Sequence, residues 1–163
     1  MRHGKSDWNT GASSDFERPL AKRGKKATKL IGKWLKQNKL IPDYIVSSPA
    51  YRAQQTAIGI CKAIKNVEAT ISWEPRIYGA ETEIFLDVLA DCPQDKKRVM
   101  LIGHNPGLEM LVYYLAGETF ESPHDDNPMP TAALAVFDMP DKWEILDAGA
   151  GQLITIIHPR KLD

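Results

Sequence analysis

The sequence predicts an α/β fold in which a mostly parallel sheet lies between two layers of helices. Helical and strand-length patterns alternate along most of the 163 residues, which is typical of parallel strands joined by crossover helices. The segment 98–102 is apolar at nearly every position, as expected for a strand buried on both faces. The expected architecture is therefore a three-layer αβα sandwich, formed by a single domain over residues 1–163.

The first part of the chain predicts a helix, a strand and a second helix. Apolar residues recur at helical spacing over residues 22–37, with lysines on the remaining faces, and residues 44–46 form a short apolar strand. Ser48 and Pro49 supply an N-cap and a proline at the first helical position, so the second helix is expected to begin there. Arg52 then lies in its first turn, where free N–H groups and the helix dipole favour an anion.

The remainder of the chain continues the alternation. The predicted elements are, in order, a strand at 69–73, a helix at 81–90, the strand at 98–102, a helix at 106–115, a loop at 117–130, and strands at 132–137, 143–146 and 153–157. Ligands of such folds bind beyond the carboxyl ends of the strands. His104 directly follows one of these strands, so we expect it at a ligand site.

Charge and cysteine content exclude several classes of function. Lysine plus arginine number 21, as do aspartate plus glutamate, so no net charge attracts nucleic acid or a membrane surface. Any anion site must therefore be made by a few converging arginines. Cys61 and Cys92 are too few for a disulfide scaffold, and the apolar runs are too short to span a membrane. We expect a cytoplasmic protein with reduced thiols.

Two histidines and several arginines are candidates for a phosphoryl-transfer site. His3 follows Arg2 near the first residue of the sequence, His104 follows the apolar strand, and Arg52 lies at the start of a helix. A neutral imidazole can accept a phosphoryl group, and guanidinium groups bind its oxygens in bidentate fashion. Neighbouring arginines would repel a cation, so we expect no metal and no other cofactor.

The chain also carries short motifs in a particular order. They are Arg2-His3-Gly4, Glu17-Arg18-Pro19-Leu20, Ser47-Ser48-Pro49 with Arg52-Ala53 and Gln55-Thr56-Ala57, Ile77-Tyr78-Gly79-Ala80, and Gly103-His104-Asn105-Pro106-Gly107. Together they resemble the histidine phosphatase superfamily, which has the phosphoglycerate mutase-like fold, and within it the small SixA-type phosphohistidine phosphatases. The resemblance implies that His3 is the nucleophile and that Arg2, Arg18, Arg52 and His104 hold the phosphoryl oxygens. Water then hydrolyses the phosphohistidine enzyme.

The start of the sequence departs from the family pattern. Relatives have an apolar strand before the Arg-His-Gly motif, usually at the centre of the sheet, whereas this sequence begins at Met1. Helices on both faces would lose a packing partner without that strand. We therefore expect the numbering to omit a strand upstream of Met1.

The identity of a general acid leaves the substrate open. Relatives that act on alkyl phosphates protonate the leaving oxygen with a carboxylic acid, a step worth about 10²- to 10⁴-fold. Glu81 and Glu83 lie in the corresponding region, although each is also compatible with a solvated carboxylate in a first helical turn. Phosphohistidine needs no strong acid once its ring nitrogen is protonated.

We therefore predict a phosphohistidine phosphatase that acts on a partner protein. An open site favours such a substrate, because the loop at 118–130, with His124, Asp125 and Asp126, is the one sizeable candidate for a lid. The alternatives are a phosphomonoesterase for a small metabolite, with Glu81 or Glu83 as the acid, and a non-catalytic phosphoprotein-binding module.

Overall fold

The computed structural model describes residues 1–65, 70–117 and 127–162. The predicted loop residues 118–126, with His124, Asp125 and Asp126, and the predicted strand residue 69 lie outside these ranges. The helices are α1 (Lys22–Gln37), α2 (Tyr51–Ile64), α3 (Thr82–Ala90) and α4 (Gly107–Ala116), with short 3-10 helices at Pro75–Ile77 and Pro159–Lys161. The strands are β1 (Tyr44–Ser47), β2 (Thr70–Trp73), β3 (Val99–Ile102), β4 (Leu134–Asp138) and β5 (Gln152–Ile157).

Three parallel strands form the centre of the molecule, in the order β2-β1-β3. Tyr44 of β1 lies opposite Thr70 of β2 and Val99 of β3. Strands β4 and β5 form a separate antiparallel pair, whose register shifts between Val136 and Phe137. The parallel sheet between helices confirms the predicted α/β fold class.

The first three residues connect the two sets of strands. Arg2 pairs with Gly103 as a parallel bridge, and the backbone N–H of His3 donates to Gly103 O at 3.1 Å. On the opposite side, Arg2 N donates to Ala133 O at 3.0 Å and Ala132 N donates to His3 O at 2.9 Å. His3 is therefore held at the same end of the sheet as the residues that follow β1 and β3.

A cavity of about 730 Å³ opens beside Met1. Its lining includes Leu101 of β3 and both Leu134 and Val136 of β4. The backbone nitrogen of Met1 donates to Leu101 O at 2.7 Å, which places the first residue beside the end of β3.

Two apolar clusters pack on opposite faces of the sheet. The cluster under α1 and α2 contains Ile31, Leu35, Ile45, Ala53, Ala57, Ile60, Met100 and Ile102. The cluster under α3 and α4 contains Val46, Phe85, Val88, Leu101, Leu108, Leu111 and Val112. Neighbouring residues of one strand join different clusters because side chains alternate between the two faces of a sheet. The predicted three-layer arrangement is therefore confirmed.

Two sequence predictions are wrong in detail. Helix α2 begins at Tyr51 rather than Pro49, because Ala50 is the N-cap residue and Ser48 Oγ accepts a bond from Ala50 N at 3.2 Å. Residues 143–146 form no strand: Ile145 is 83% exposed and only Leu146 is buried. The apolar residues of this segment predicted a strand, but none of the described strands pairs with it.

Other predicted boundaries shift by one or two residues. Strand β4 starts at Leu134 instead of residue 132, since Ala132 has a φ of 63°, outside the extended region. Helix α3 starts at Thr82, with Glu81 as its N-cap residue. Among the described residues, no helix combines the length and apolarity needed to cross a bilayer.

Candidate active site

The two histidines lie together at the carboxyl end of the parallel strands. His3 and His104 emerge beside each other because Arg2 pairs with Gly103 in parallel register. Their ring centroids are 5.0 Å apart with an interplanar angle of 50°, and both side chains are buried. The sequence separates these rings by a hundred positions, and the sheet brings them into contact.

His3 presents one ring nitrogen with a free lone pair. Its Nδ1 lies 2.7 Å from Gly4 O, and since a carbonyl oxygen can only accept, Nδ1 carries the proton and Nε2 does not. Burial lowers the pKa of His3 to about 3, and the charges of Arg52 and Arg2 act in the same direction. His3 is therefore neutral at physiological pH, as a nucleophile requires.

His104 is fixed by contacts on both of its ring nitrogens. Its Nε2 is 2.8 Å from Ser48 Oγ, and its Nδ1 is 3.5 Å from Nη2 of Arg52. A guanidinium can only donate, so neutral His104 has its lone pair on Nδ1 and its proton on Nε2, which donates to Ser48. Burial lowers the pKa of His104 to about 4, with Arg52 contributing in the same direction and Asp15 opposing it.

Arg52 and Arg2 each carry a buried hydrogen-bond donor that has no partner among the described residues. Arg52 is 5% exposed, and Arg2 donates from Nη1 to Met129 O at 2.9 Å. The Nε atoms of both side chains are buried without a partner among the described residues. Since buried N–H groups normally have an acceptor, these two are suited to the oxygens of an anion.

Arg18 joins the cluster indirectly. Its Nε and Nη2 donate to Asp15 Oδ1 at 2.9 and 2.6 Å, and its Nη1 donates to Ser6 Oγ at 2.9 Å. The guanidinium carbon lies 3.5 Å from the centroid of the Trp8 ring. Of the arginines predicted from the sequence, Arg2 and Arg52 lie against the histidines, while Arg18 lies at the rim.

Asp15 was not predicted as a site residue, yet its carboxylate contacts both Arg18 and Arg52. Its Oδ2 accepts from Arg52 Nη2 at 2.9 Å and from the Tyr78 hydroxyl at 3.0 Å. Partial burial opposes ionisation, but the hydrogen bonds from Arg18 and Tyr78 and the charge of Arg52 outweigh it and lower the pKa of Asp15 to about 2. Asp15 is therefore a carboxylate at any pH at which the protein is expected to work.

Ser48 and Tyr78 also contribute more than the sequence suggested. Ser48 was assigned as a helix cap, yet its hydroxyl also holds His104. Tyr78 belongs to a motif noted above, and its ring lies 5.4 Å from that of His104, edge to face. The sequence did contain one indication that Asp15 contacts Arg18, because the two residues carry opposite charges and are three positions apart.

Glu81 and Glu83 lie on the same side of the site as His104. Both are exposed and line a cavity of about 430 Å³ together with His104 and Asn105. The Glu81 carboxylate makes no capping bond to its own helix. Gly107 keeps this segment close, because a Cβ at that position would collide with the carbonyl oxygen of Ala80.

The buried histidines predict a loss of stability in mild acid. Both have folded-state pKa values of about 3 and 4, below the value of about 6.5 expected in the unfolded chain. Between these values the unfolded chain binds more protons, so the free energy of unfolding falls as pH falls, by at most about 1.4 kcal/mol per pH unit for each histidine.

Urea unfolding at pH 7, 6 and 5 measures this effect. The pH dependence should weaken in His104→Gln and persist in His158→Gln, whose ring bonds to Pro128 O outside the site. A free energy of unfolding that stays constant from pH 7 to 5 would contradict the expected burial of neutral imidazoles.

Comparison with known proteins shows which family this chain is similar to. The sequence pattern of the histidine phosphatase superfamily, branch 1, matches residues 1–78. The uncharacterized protein Rv1276c of Mycobacterium tuberculosis is 28% identical over 164 residues, which span 98% of this chain and 100% of that protein.

Solved structures agree with this match. SixA from Agrobacterium tumefaciens is 28% identical with a TM-score of 0.81, over 98% of this chain and 95% of that one. A SixA structure solved with tungstate shares the fold with a TM-score of 0.81 at 24% identity, over 100% of this chain and 97% of that one. The chain is thus similar to the histidine phosphatase superfamily over residues 1–78 and, over nearly its whole length, to SixA-type phosphohistidine phosphatases, which supports a phosphohydrolase activity.

Proposed function

We propose that the protein is a phosphohistidine phosphatase, in which His3 accepts a phosphoryl group from a phosphorylated histidine of a partner protein. One observation carries the proposal: the neutral His3 ring, with its lone pair on Nε2, lies 5.0 Å from the ring of His104, whose Nδ1 faces Nη2 of Arg52. A neutral nucleophile surrounded by donors suits attack on a phosphorus whose oxygens carry negative charge.

In the first step, His3 Nε2 attacks phosphorus and the bond to the substrate nitrogen breaks. The Nε–H groups of Arg2 and Arg52 bind the non-bridging oxygens, whose charge must be stabilised during transfer. Gly4 O keeps the His3 ring in the required tautomer through the bond from Nδ1. That bond also stabilises the positive charge that the ring acquires when it is phosphorylated.

His104 is suited to gain a proton when the phosphoryl group binds. Burial and the neighbouring arginines hold its pKa low, and a bound dianion would act in the opposite direction. The Nδ1 atom, which faces Arg52, would then donate to a phosphoryl oxygen, while Ser48 keeps the ring in place. Water subsequently attacks the phosphorylated His3, with the same groups holding the oxygens.

The ionised Asp15 carboxylate favours a substrate whose leaving atom is nitrogen over one whose leaving atom is oxygen. Asp15 has a pKa of about 2, so it has no proton to give to an alkoxide. Phosphohistidine tolerates this, because its ring can enter the site already protonated. The similarity to the SixA phosphohistidine phosphatase of Agrobacterium tumefaciens supports the same substrate class.

A small phosphomonoester is the second candidate substrate. The observation that favours it is the cavity of about 430 Å³ beside His104, with Glu81 and Glu83 in its lining. A protonated Glu81 or Glu83 could supply the proton that an alkoxide leaving group needs. The two candidates therefore differ in their dependence on these carboxyl groups.

The Glu81→Gln/Glu83→Gln double variant separates the two candidates. We expect its kcat/KM on a phosphohistidine peptide to equal that of the unmodified protein, since no enzyme acid takes part. The test is a substrate panel of phosphohistidine peptide, sugar phosphates and nucleotide monophosphates. A wild-type preference for an alkyl phosphate, lost by about 10²-fold or more in the double variant, would establish the phosphomonoesterase instead.

A further inference from the structure

We propose that Asp15 recognises the leaving group, accepting a hydrogen bond from the protonated imidazole ring of the substrate phosphohistidine. This inference rests on the function proposed above and adds to it a residue that selects N–P over O–P substrates. Asp15 is a specificity residue in this account, distinct from the groups that hold the phosphoryl oxygens.

Asp15 lies on the side of the site from which we expect the leaving group to depart. His3 is buried at the base of the pocket, whereas the Asp15 side chain is 49% exposed. One atom, Nη2 of Arg52, lies 2.9 Å from Asp15 Oδ2 and 3.5 Å from His104 Nδ1. In-line attack by the buried His3 directs the leaving group outward, toward the side of Arg52 on which Asp15 lies.

Binding of a phosphoryl group can free one oxygen of Asp15. In the structure, Oδ1 accepts from Arg18, while Oδ2 accepts from Arg52 and Tyr78. A phosphoryl group carries more charge than a carboxylate and competes with it for the fork of Arg52. When Arg52 turns to the phosphoryl oxygens, Oδ2 loses a donor and can accept the ring N–H of the leaving imidazole.

Aromatic side chains next to Asp15 suit a flat cation. Phe16 and Tyr78 lie edge to face with centroids 5.1 Å apart, and they are 37% and 41% exposed. The Tyr78 hydroxyl donates directly to Asp15. A carboxylate flanked by exposed aromatic rings is a favourable environment for an imidazolium, which can stack on a ring while donating to the carboxylate.

The chemistry balances without an enzyme acid. The substrate ring enters with a proton on one nitrogen and the phosphoryl group on the other. The lone pair of His3 Nε2 forms the new N–P bond, the old N–P bond breaks, and its electron pair returns to the substrate nitrogen. The ring leaves as neutral imidazole with its original proton, which Asp15 has held in place by hydrogen bonding.

An Asp15→Asn variant tests the inference with two substrates. Loss of a charge-assisted hydrogen bond should lower kcat/KM on a phosphohistidine peptide by about 10- to 100-fold, because the amide favours the protonated ring less. The loss on p-nitrophenyl phosphate should be smaller by about 10-fold or more, since its leaving group carries no N–H. With the peptide as substrate, the pH at which kcat/KM falls on the alkaline side of its profile should also decrease by about one unit.

The matched control is Asp7→Asn, which removes one charge from the same segment, where Asp7 Oδ1 accepts a local bond from Asn9 N. Its kinetics should equal those of the unmodified protein. Retained tungstate binding by Asp15→Asn would show that the arginines remain in place.

Equal losses of the Asp15 variant on both substrates, or no loss on either, would overturn the inference. The first result would reduce Asp15 to a support for Arg18 and Arg52. Failure of the proposed function looks different, because the unmodified protein itself would then hydrolyse p-nitrophenyl phosphate but not the phosphohistidine peptide.

Discussion

Replacing His3 with alanine is expected to abolish turnover, with a loss of at least about 10⁴-fold in kcat. The other imidazole of the site, His104, has its lone pair on Nδ1 facing Arg52, which leaves His3 Nε2 as the ring nitrogen available to attack phosphorus. The protein should remain folded, because the change removes one buried imidazole whose main polar contact is with the adjacent Gly4. Steady-state kinetics and thermal unfolding of the same sample measure the two effects.

His158→Ala is the matched control for the His3 variant. His158 follows β5, and its Nε2 contacts Pro128 O, so its replacement should leave kcat unchanged. Added imidazole should restore part of the activity of His3→Ala by occupying the vacated space and attacking phosphorus itself. Wild-type turnover in a folded His3→Ala protein would rule out His3 as the nucleophile.

Removing the Arg52 side chain should cause the second-largest loss, about 10²- to 10³-fold in kcat. Arg52 combines a buried, unpartnered Nε with terminal nitrogens that contact Asp15 and His104. Arg52→Lys should not restore activity, because an ammonium group is a point charge without the guanidinium fork. The comparison requires kcat and KM for the alanine and lysine variants on one substrate.

The control for this pair is Arg76→Ala, since Arg76 pairs with Glu74 and Asp91 on the surface. That variant should keep wild-type kinetics. If Arg52→Lys came within ten-fold of the unmodified rate, bidentate binding of the phosphoryl oxygens would be the wrong description of Arg52.

The sequence was sufficient to predict where the histidines and Arg52 lie. The sheet rule places residues after parallel strands at one edge, and this rule holds for His104. Arg52 lies in the first turn of α2 even though that helix starts two residues later than expected. These predictions depend on local periodicity and on the strand ends, both of which short-range sequence patterns record.

Asp15 illustrates what the sequence did not reveal. It lies in an irregular segment before α1, and its contacts with Arg52 and Tyr78 span 37 and 63 positions. No periodic pattern encodes such contacts, because they arise only when the loop folds over the carboxyl end of the sheet. The predicted strand at 143–146 was wrong for a related reason, since apolar residues alone do not show whether a strand has a partner.

The covalent intermediate is the most direct test of the central claim. A phosphohistidine peptide should be mixed with the protein, quenched in alkaline denaturant within one turnover, and the whole protein analysed by fragmentation mass spectrometry. We expect one phosphoryl group on His3 that disappears once the peptide has been consumed, and no phosphorylated protein with His3→Ala. A phosphoryl group on a different residue, with His3 unmodified throughout turnover, would contradict the account.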